Sequence, residues 1–274
     1  MRKKILAGIA AGAVAALGLM VAPATAATAD GAQLSVLHGI PDTPVDVYVN
    51  GELTIDDFQP GDLAGPLDLP AGSYEVALTA PDATDASSPV LGPVSVTLEA
   101  GVNYTAVAHL NEGGDPTVTP FVNDTAATAA GEGRLTVRHV AAAPAVDVLA
   151  GGSAVIEDLA NPDEATLNLP AGSISASVAA AGTTDPVLGP TDVAVEEGAL
   201  TIVYAWGSLE DENLAVAVQT ISGLHSAPDG VPSGSGGQLA ERDAMMQSLF
   251  VFAGLAIAAA AAASVVAVRA RANR

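Results

Sequence analysis

Apolar and polar positions alternate along most of this chain, from about residue 33 to residue 220. In Val45-Asp46-Val47-Tyr48-Val49 the valines fall on one side and Asp46 and Tyr48 on the other. Tyr74-Glu-Val-Ala-Leu78, Val94-Ser-Val-Thr-Leu98 and the run from Asn213 to Val218 behave alike. A period of two sends successive side chains to opposite faces of an extended strand, so these runs predict half-buried strands. Turn residues separate them. Asn50-Gly51 and Gly151-Gly152 sit between alternating runs and predict two-residue hairpin turns with positive φ. Pro70-Ala-Gly72 and Pro170-Ala-Gly172 read as further turns. No long amphipathic helix interrupts the pattern.

The pattern is written twice. His38 and Val45-Asp46-Val47 recur as His139 and Val146-Asp147-Val148. Leu69-Pro-Ala-Gly-Ser73 recurs as Leu169-Pro-Ala-Gly-Ser173, and Pro89-Val-Leu-Gly-Pro93 as Pro186-Val-Leu-Gly-Pro190. Order is kept while spacing drifts by a few residues, as a tandem duplication with loop changes requires. Repeat one is placed at residues 33–122, a polar linker at 123–133 and repeat two at 134–220. Seven or eight short strands in about 90 residues predict an all-β chain: two tandem antiparallel β-sandwiches of immunoglobulin-like size.

The sequence of motifs in repeat one, a strand ending in His38, then P-V-D-V-Y-x-N-G, L-P-A-G-x-Y-x-V and P-V-L-G-P, resembles the bacterial domain of unknown function 4397. That resemblance implies a secreted or surface protein with tandem copies, and it implies no activity and no functional residues. Repeat two departs from the pattern where Gly151-Gly152 replaces Asn-Gly and where Leu149 and Ile174 replace Tyr48 and Tyr74.

Both ends carry long apolar runs. Arg2, Lys3 and Lys4 precede the uncharged stretch Ile5–Val21, and small residues follow up to Ala26, so residues 1–26 read as a signal peptide. Residues 248–268 form an uncharged run long enough to cross a bilayer as a helix, followed by the basic tail 269–274 with Arg269, Arg271 and Arg274. Residues 221–247 read as a Gly/Ser/Pro-containing stalk. The expected product is a single-pass membrane-anchored protein with its bulk outside the cell.

Charge sharpens this. Between Ala27 and Ala240 there are 29 acidic residues against Arg134 and Arg138, and no lysine. Such a surface repels nucleic acid and attracts cations. The chain has no cysteine, which excludes disulfides and thiol chemistry. Asn103 and Asn123 lie in formal glycosylation sequons.

Candidate chemistry is thin. His38 and His139 occupy equivalent strand ends, and the expectation is that each orders the following loop through Asp42 or a backbone carbonyl. Asp46 and Asp147 alternate with valines, so they are expected to face solvent or a loop, at an outward strand position or capping a turn backbone; the functional alternative is a carboxylate in a Ca²⁺ cluster at a domain end. Acidic loops at Asp56-Asp57, Asp82–Asp85, Glu210–Glu212 and Asp124 lack the EF-hand spacing. No nucleophile-elbow, S-x-x-K or zincin motif occurs, and no cofactor or metal ligand set is assigned. Tyr48, Tyr74, Tyr104 and Tyr204 are the remaining candidates for a sugar-binding face. The expectation is therefore a non-catalytic display, structural or adhesion module, held in the membrane by its C-terminal helix and engaging an envelope or extracellular protein or glycan. A receptor for Ca²⁺ or a small ligand is the alternative, and an envelope hydrolase is the least favoured reading.

Overall fold

A computed structural model describes residues 31–225. The expected signal peptide, most of the stalk, the membrane helix and the basic tail lie outside these residues. Among the described residues every regular element is a strand. Repeat one contains β1 (Ala32–Gly39), β2 (Val45–Val49), β3 (Glu52–Phe58), β4 (Leu63–Leu69), β5 (Gly72–Thr79), β6 (Leu91–Leu98), β7 (Asn103–Leu110) and β8 (Pro116–Val122). Repeat two contains β9 (Glu132–Ala142), β10 (Val146–Ala150), β11 (Ser153–Leu159), β12 (Glu164–Pro170), β13 (Gly172–Ala180), β14 (Pro186–Val195), β15 (Ala199–Ser208) and β16 (Ala215–Ser222).

Each repeat folds into two four-stranded sheets. In repeat one the orders are β3-β2-β5-β6 and β4-β1-β7-β8; repeat two has β11-β10-β13-β14 and β12-β9-β15-β16. The sandwiches are not wholly antiparallel. β1 pairs in parallel with β7, and β9 with β15. From β1 the chain crosses to the opposite sheet for β2 and β3, returns as β4 antiparallel to β1, crosses again for β5 and β6, and comes back as β7 on the other edge of β1 in the same direction.

The recurring motifs now have physical reasons. Asn50 and Gly51 have φ of 51° and 82°, and Gly151 and Gly152 have 58° and 82°, as the hairpin reading requires. In the two P-V-L-G-P segments, Gly92 and Gly189 lie at φ 96° and 87°, beside a register shift between β5 and β6 or β13 and β14. A Cβ at Gly92 would stand 2.6 Å from the carbonyl oxygen of Val76. Close approach of two backbones at a bulge therefore requires glycine there.

Three apolar layers follow, not two. One lies inside each sandwich: Val45, Val47, Phe58, Leu78, Val96 and Ala106 in repeat one, and Val137, Val146, Val148, Ile156, Val193 and Val195 in repeat two. The third joins the repeats, with Leu37, Val107 and Phe121 from repeat one against Val140, Leu200, Ile202, Tyr204, Trp206 and Leu224. The four sheets thus stack as four layers. The two middle sheets are covered on both faces, whereas β6, in an outer sheet, alternates Val94, Val96 and Leu98 inward with exposed Ser95 and Thr97, as the half-buried reading expects. Every residue of β7 is buried. Its Tyr104, Ala106 and Ala108 face the repeat-one core, and the alternate Val107 faces repeat two.

Candidate functional site

The first candidates are the duplicated His and Asp. His38 and His139 are fully buried, and each ring Nε2 lies against a loop carbonyl, Thr43 O at 2.7 Å and Pro144 O at 3.0 Å. Each Nδ1 lies 3.5 Å from a backbone N–H two residues on, at Ile40 and Ala141, so the geometry fits a neutral ring protonated on Nε2. His38 also stacks on Phe58 at 5.6 Å. Both rings order the loop after their strand through a carbonyl, as expected. His109 is a third buried imidazole, between Leu110 O at 2.9 Å and Thr119 Oγ1 at 2.8 Å. Burial lowers the pKa of all three, partly opposed by their backbone hydrogen bonds.

Asp46 and Asp147 take the loop side of the expectation, not the solvent side. They do not face solvent; both are buried. The outer face of β2 and β10 is closed by neighbouring loops. Tyr48, next on that face in repeat one, donates its hydroxyl to Ala83 O at 2.7 Å. The capping expectation holds. Asp46 Oδ1 accepts the N–H of Asp57 and Asp147 Oδ1 that of Asp158, each at 2.9 Å. Those partners have φ of 50° and 54°, at a bulge where β2 meets β3 and β10 meets β11. The carboxylate holds a left-handed residue whose amide the ladder cannot use.

The second candidate is a cavity. In repeat one an apolar cavity of about 250 Å³ lies between the two sheets. Leu34, Val47, Val76 and Leu78 line it, Ala106 and Ala108 contribute only methyl groups from β7, and Asn50, Glu52 and Thr54 are its polar residues. The spaces between the corresponding sheets and loops of repeat two are smaller, about 60 and 40 Å³. The ladders align Ala106 with Val203, because β1–β7 and β9–β15 pair in the same way. Tyr74 and Thr54 correspond to Ile174 and Val155. The larger valine on the middle strand fills space that alanine leaves.

The third candidate is the polar network inside the interface. Arg134 and Arg138, the two basic residues of the described body, are both buried. The Arg138 guanidinium donates from Nε to Glu164 Oε2 at 2.7 Å, from Nη1 to the Tyr204 hydroxyl at 2.9 Å and from Nη2 to Asn123 Oδ1 at 2.9 Å. It lies 4.3 Å over the Phe121 ring. The Tyr204 hydroxyl donates to Gln219 Oε1 at 2.6 Å, which also accepts from Thr105 Oγ1 at 3.0 Å. Burial raises the Tyr204 pKa, and Arg138 opposes it. Arg134 donates to Asn168 Oδ1 and to the carbonyls of Asp124 and Ala126, and pairs with Asp124 at 3.1 Å. Residues 123–133 therefore do more than link: Asn123 and Thr128 are buried parts of the junction.

Sequence reasoning missed this network, although Arg138 and the sequon asparagines were in view. Both sequon side chains are buried, and Asn123 Nδ2 donates to Asn103 Oδ1 at 2.5 Å. The tyrosines form no sugar-binding face: Tyr48, Tyr104 and Tyr204 are buried in three different places. With both arginines inside, the outer surface of the described body carries carboxylates without Lys or Arg between them.

The model of a family described as Domain of unknown function (DUF4397) matches residues 32–149. The match spans the first sandwich, the connection and the start of the second, and bears out the resemblance read from the motifs. No curated protein matches the chain.

Proposed function

We propose that this chain is a non-catalytic module displayed outside the cell, and that repeat one takes up a small apolar group of an envelope component. The observation that carries this reading is the cavity of about 250 Å³ in repeat one, set against the filled core of repeat two. Two copies of one fold share the same design, yet one leaves the space and the other fills it. An alkyl chain matches the lining better than a sugar, because the walls offer aliphatic carbons and few hydrogen-bonding groups.

Display rests on the two ends of the sequence. The described body starts at Gly31, beside Gly223 and Leu224, where the stalk begins; all three line one polar groove. A body entering and leaving at one end presents the opposite loops outward when residues 248–268 hold it in the membrane. Repeat two and the shared interface then act as a rigid base for repeat one. The two sandwiches and the tandem family copies in repeat one and repeat two belong to the same reading.

The test is titration of the ectodomain with a fluorescent fatty acid such as cis-parinaric acid. Wild type is expected to bind one equivalent. Ala106→Val, which installs the repeat-two residue, is expected to weaken binding several-fold, and Ala106→Leu more than ten-fold with thermal stability kept or raised. Absence of saturable binding by wild type, or equal binding by Ala106→Leu, refutes the cavity as the site.

A further inference from the structure

Consecutive residues of a regular strand point to opposite faces. Asp56 and Asp57 escape that rule because the β2–β3 register shifts at a bulge and Asp57 takes φ of 50°. Both carboxylates can then gather with that of Asp46, and one oxygen or more from each of the three lies within 4.8 Å of the others. Asp46 is buried, whereas Asp56 and Asp57 are exposed, so the group has a dry side and an open side.

A second observation points to a ligand. Thr79 stands directly opposite Asp46 in the β2–β5 ladder, so their side chains share one face of the sheet. Thr79 is fully buried, and its hydroxyl has no hydrogen-bond partner. A buried hydroxyl without a partner is costly, and its place beside an acid group suits an oxygen ligand for a metal ion.

Repeat two supplies the comparison. It keeps the bulge, with Asp147 holding the N–H of Asp158 at 2.9 Å. There the second oxygen of Asp147 accepts another N–H, from Gly182 at 2.8 Å. The residue opposite Asp147 is Ala179, which carries no hydroxyl, and Glu157 stands in place of Asp56. In repeat one the backbone donor to Asp46 is Asp57 N. The repeat-two carboxylate is satisfied by backbone alone, and the repeat-one group is not.

We propose that Asp46, Asp56, Asp57 and Thr79 form a Ca²⁺ site in repeat one that repeat two lacks. Three carboxylates and a hydroxyl are hard oxygen donors, and the exposed side leaves room for water to complete the six to eight ligands that Ca²⁺ takes. The three carboxylates carry like charges within 4.8 Å of one another. A bound cation relieves that repulsion. The site does not depend on the cavity reading, since none of its four residues lines the cavity.

The test is calorimetric titration of the full chain in detergent with CaCl₂, with MgCl₂ and NaCl as controls. The expected result is one Ca²⁺ per chain with a Kd of about 10⁻⁴ to 10⁻³ M, in the range of extracellular modules. Asp56→Asn should weaken binding at least ten-fold, and Glu157→Gln in repeat two should leave it unchanged. Thr79→Val should weaken Ca²⁺ binding several-fold while raising Tm in chelator, because it removes a buried hydroxyl without a partner. Thr79→Val keeps the question decidable if Asp56→Asn fails to fold. Heat that MgCl₂ or NaCl reproduces overturns the proposal. So does unchanged affinity in Asp56→Asn or Thr79→Val, or equal weakening by Glu157→Gln.

Discussion

Replacing Arg138 tests whether the two repeats are one cooperative body. Its guanidinium makes three hydrogen bonds of 2.7–2.9 Å and sits over Phe121. Arg138→Ala leaves the Tyr204 hydroxyl and Asn123 Oδ1 buried without their charged donor. Each such loss costs about 1–3 kcal/mol. Glu164 is partly exposed and regains water, so it adds little. Relief of the buried guanidinium's desolvation offsets part of the total, and lost packing on Phe121 adds to it. The net expectation is a loss of about 3 kcal/mol for Arg138→Ala. Arg138→Met, which keeps an apolar stem, should lose about half of that. The assay is urea unfolding of the ectodomain, followed by Trp206 fluorescence and by far-ultraviolet circular dichroism. Trp206 is the single tryptophan and lies in the interface layer, so it reports the junction itself. With a urea slope of about 2 kcal/mol per M, the midpoint of Arg138→Ala should fall by about 1.5 M. Wild type should show coincident transitions by the two probes. A midpoint change under about 0.2 M, worth roughly 0.4 kcal/mol on that slope, refutes the role given to this network. Separate wild-type transitions for the two probes would refute the single cooperative body.

Two further predictions follow from the buried groups. Burial lowers the pKa of His38, His109 and His139 below the ordinary value of 6.5, so the native state resists protons that the unfolded state accepts. Their contribution to stability is complete above about pH 6.5 and is lost as pH falls below it. The charges of Asp62 on His38, and of Glu112 and Asp163 on His139, oppose this, while His139 itself disfavours a charge on His109. Tm should therefore drop between pH 7.5 and 5, and His109→Gln should flatten the slope; an unchanged slope contradicts the argument. Asp147→Ala removes the acceptor for two backbone amides, Asp158 N and Gly182 N, and should cost about 2–4 kcal/mol by chemical denaturation. A loss under about 1 kcal/mol would show that water replaces the carboxylate at that bulge.

The alternation of Val45-Asp46-Val47 and its copy was enough to read strands, hairpins and a duplicated all-β unit, because strand period and turn geometry are local properties of the chain. Asn50-Gly51 and Gly151-Gly152 adopt the positive φ that their side chains, or the lack of them, favour. Local pattern also contained the acidity and both terminal apolar runs. Tertiary structure decided which polar residues are inside. Asp46 stands on the polar face of its strand, and only the loop that Tyr48 anchors makes that face interior. Arg138 gains its partners only when distant parts of the sequence bring Phe121, Asn123 and Tyr204 beside it. The parallel pairing of β1 with β7 depends on chain routing, which alternation does not encode. The cavity depends on one methyl-bearing position, Ala106 against Val203, whose meaning appears only when two sheets face each other. A period of two tells each residue its side of the strand; what lies on that side is set by contacts between residues far apart in the chain.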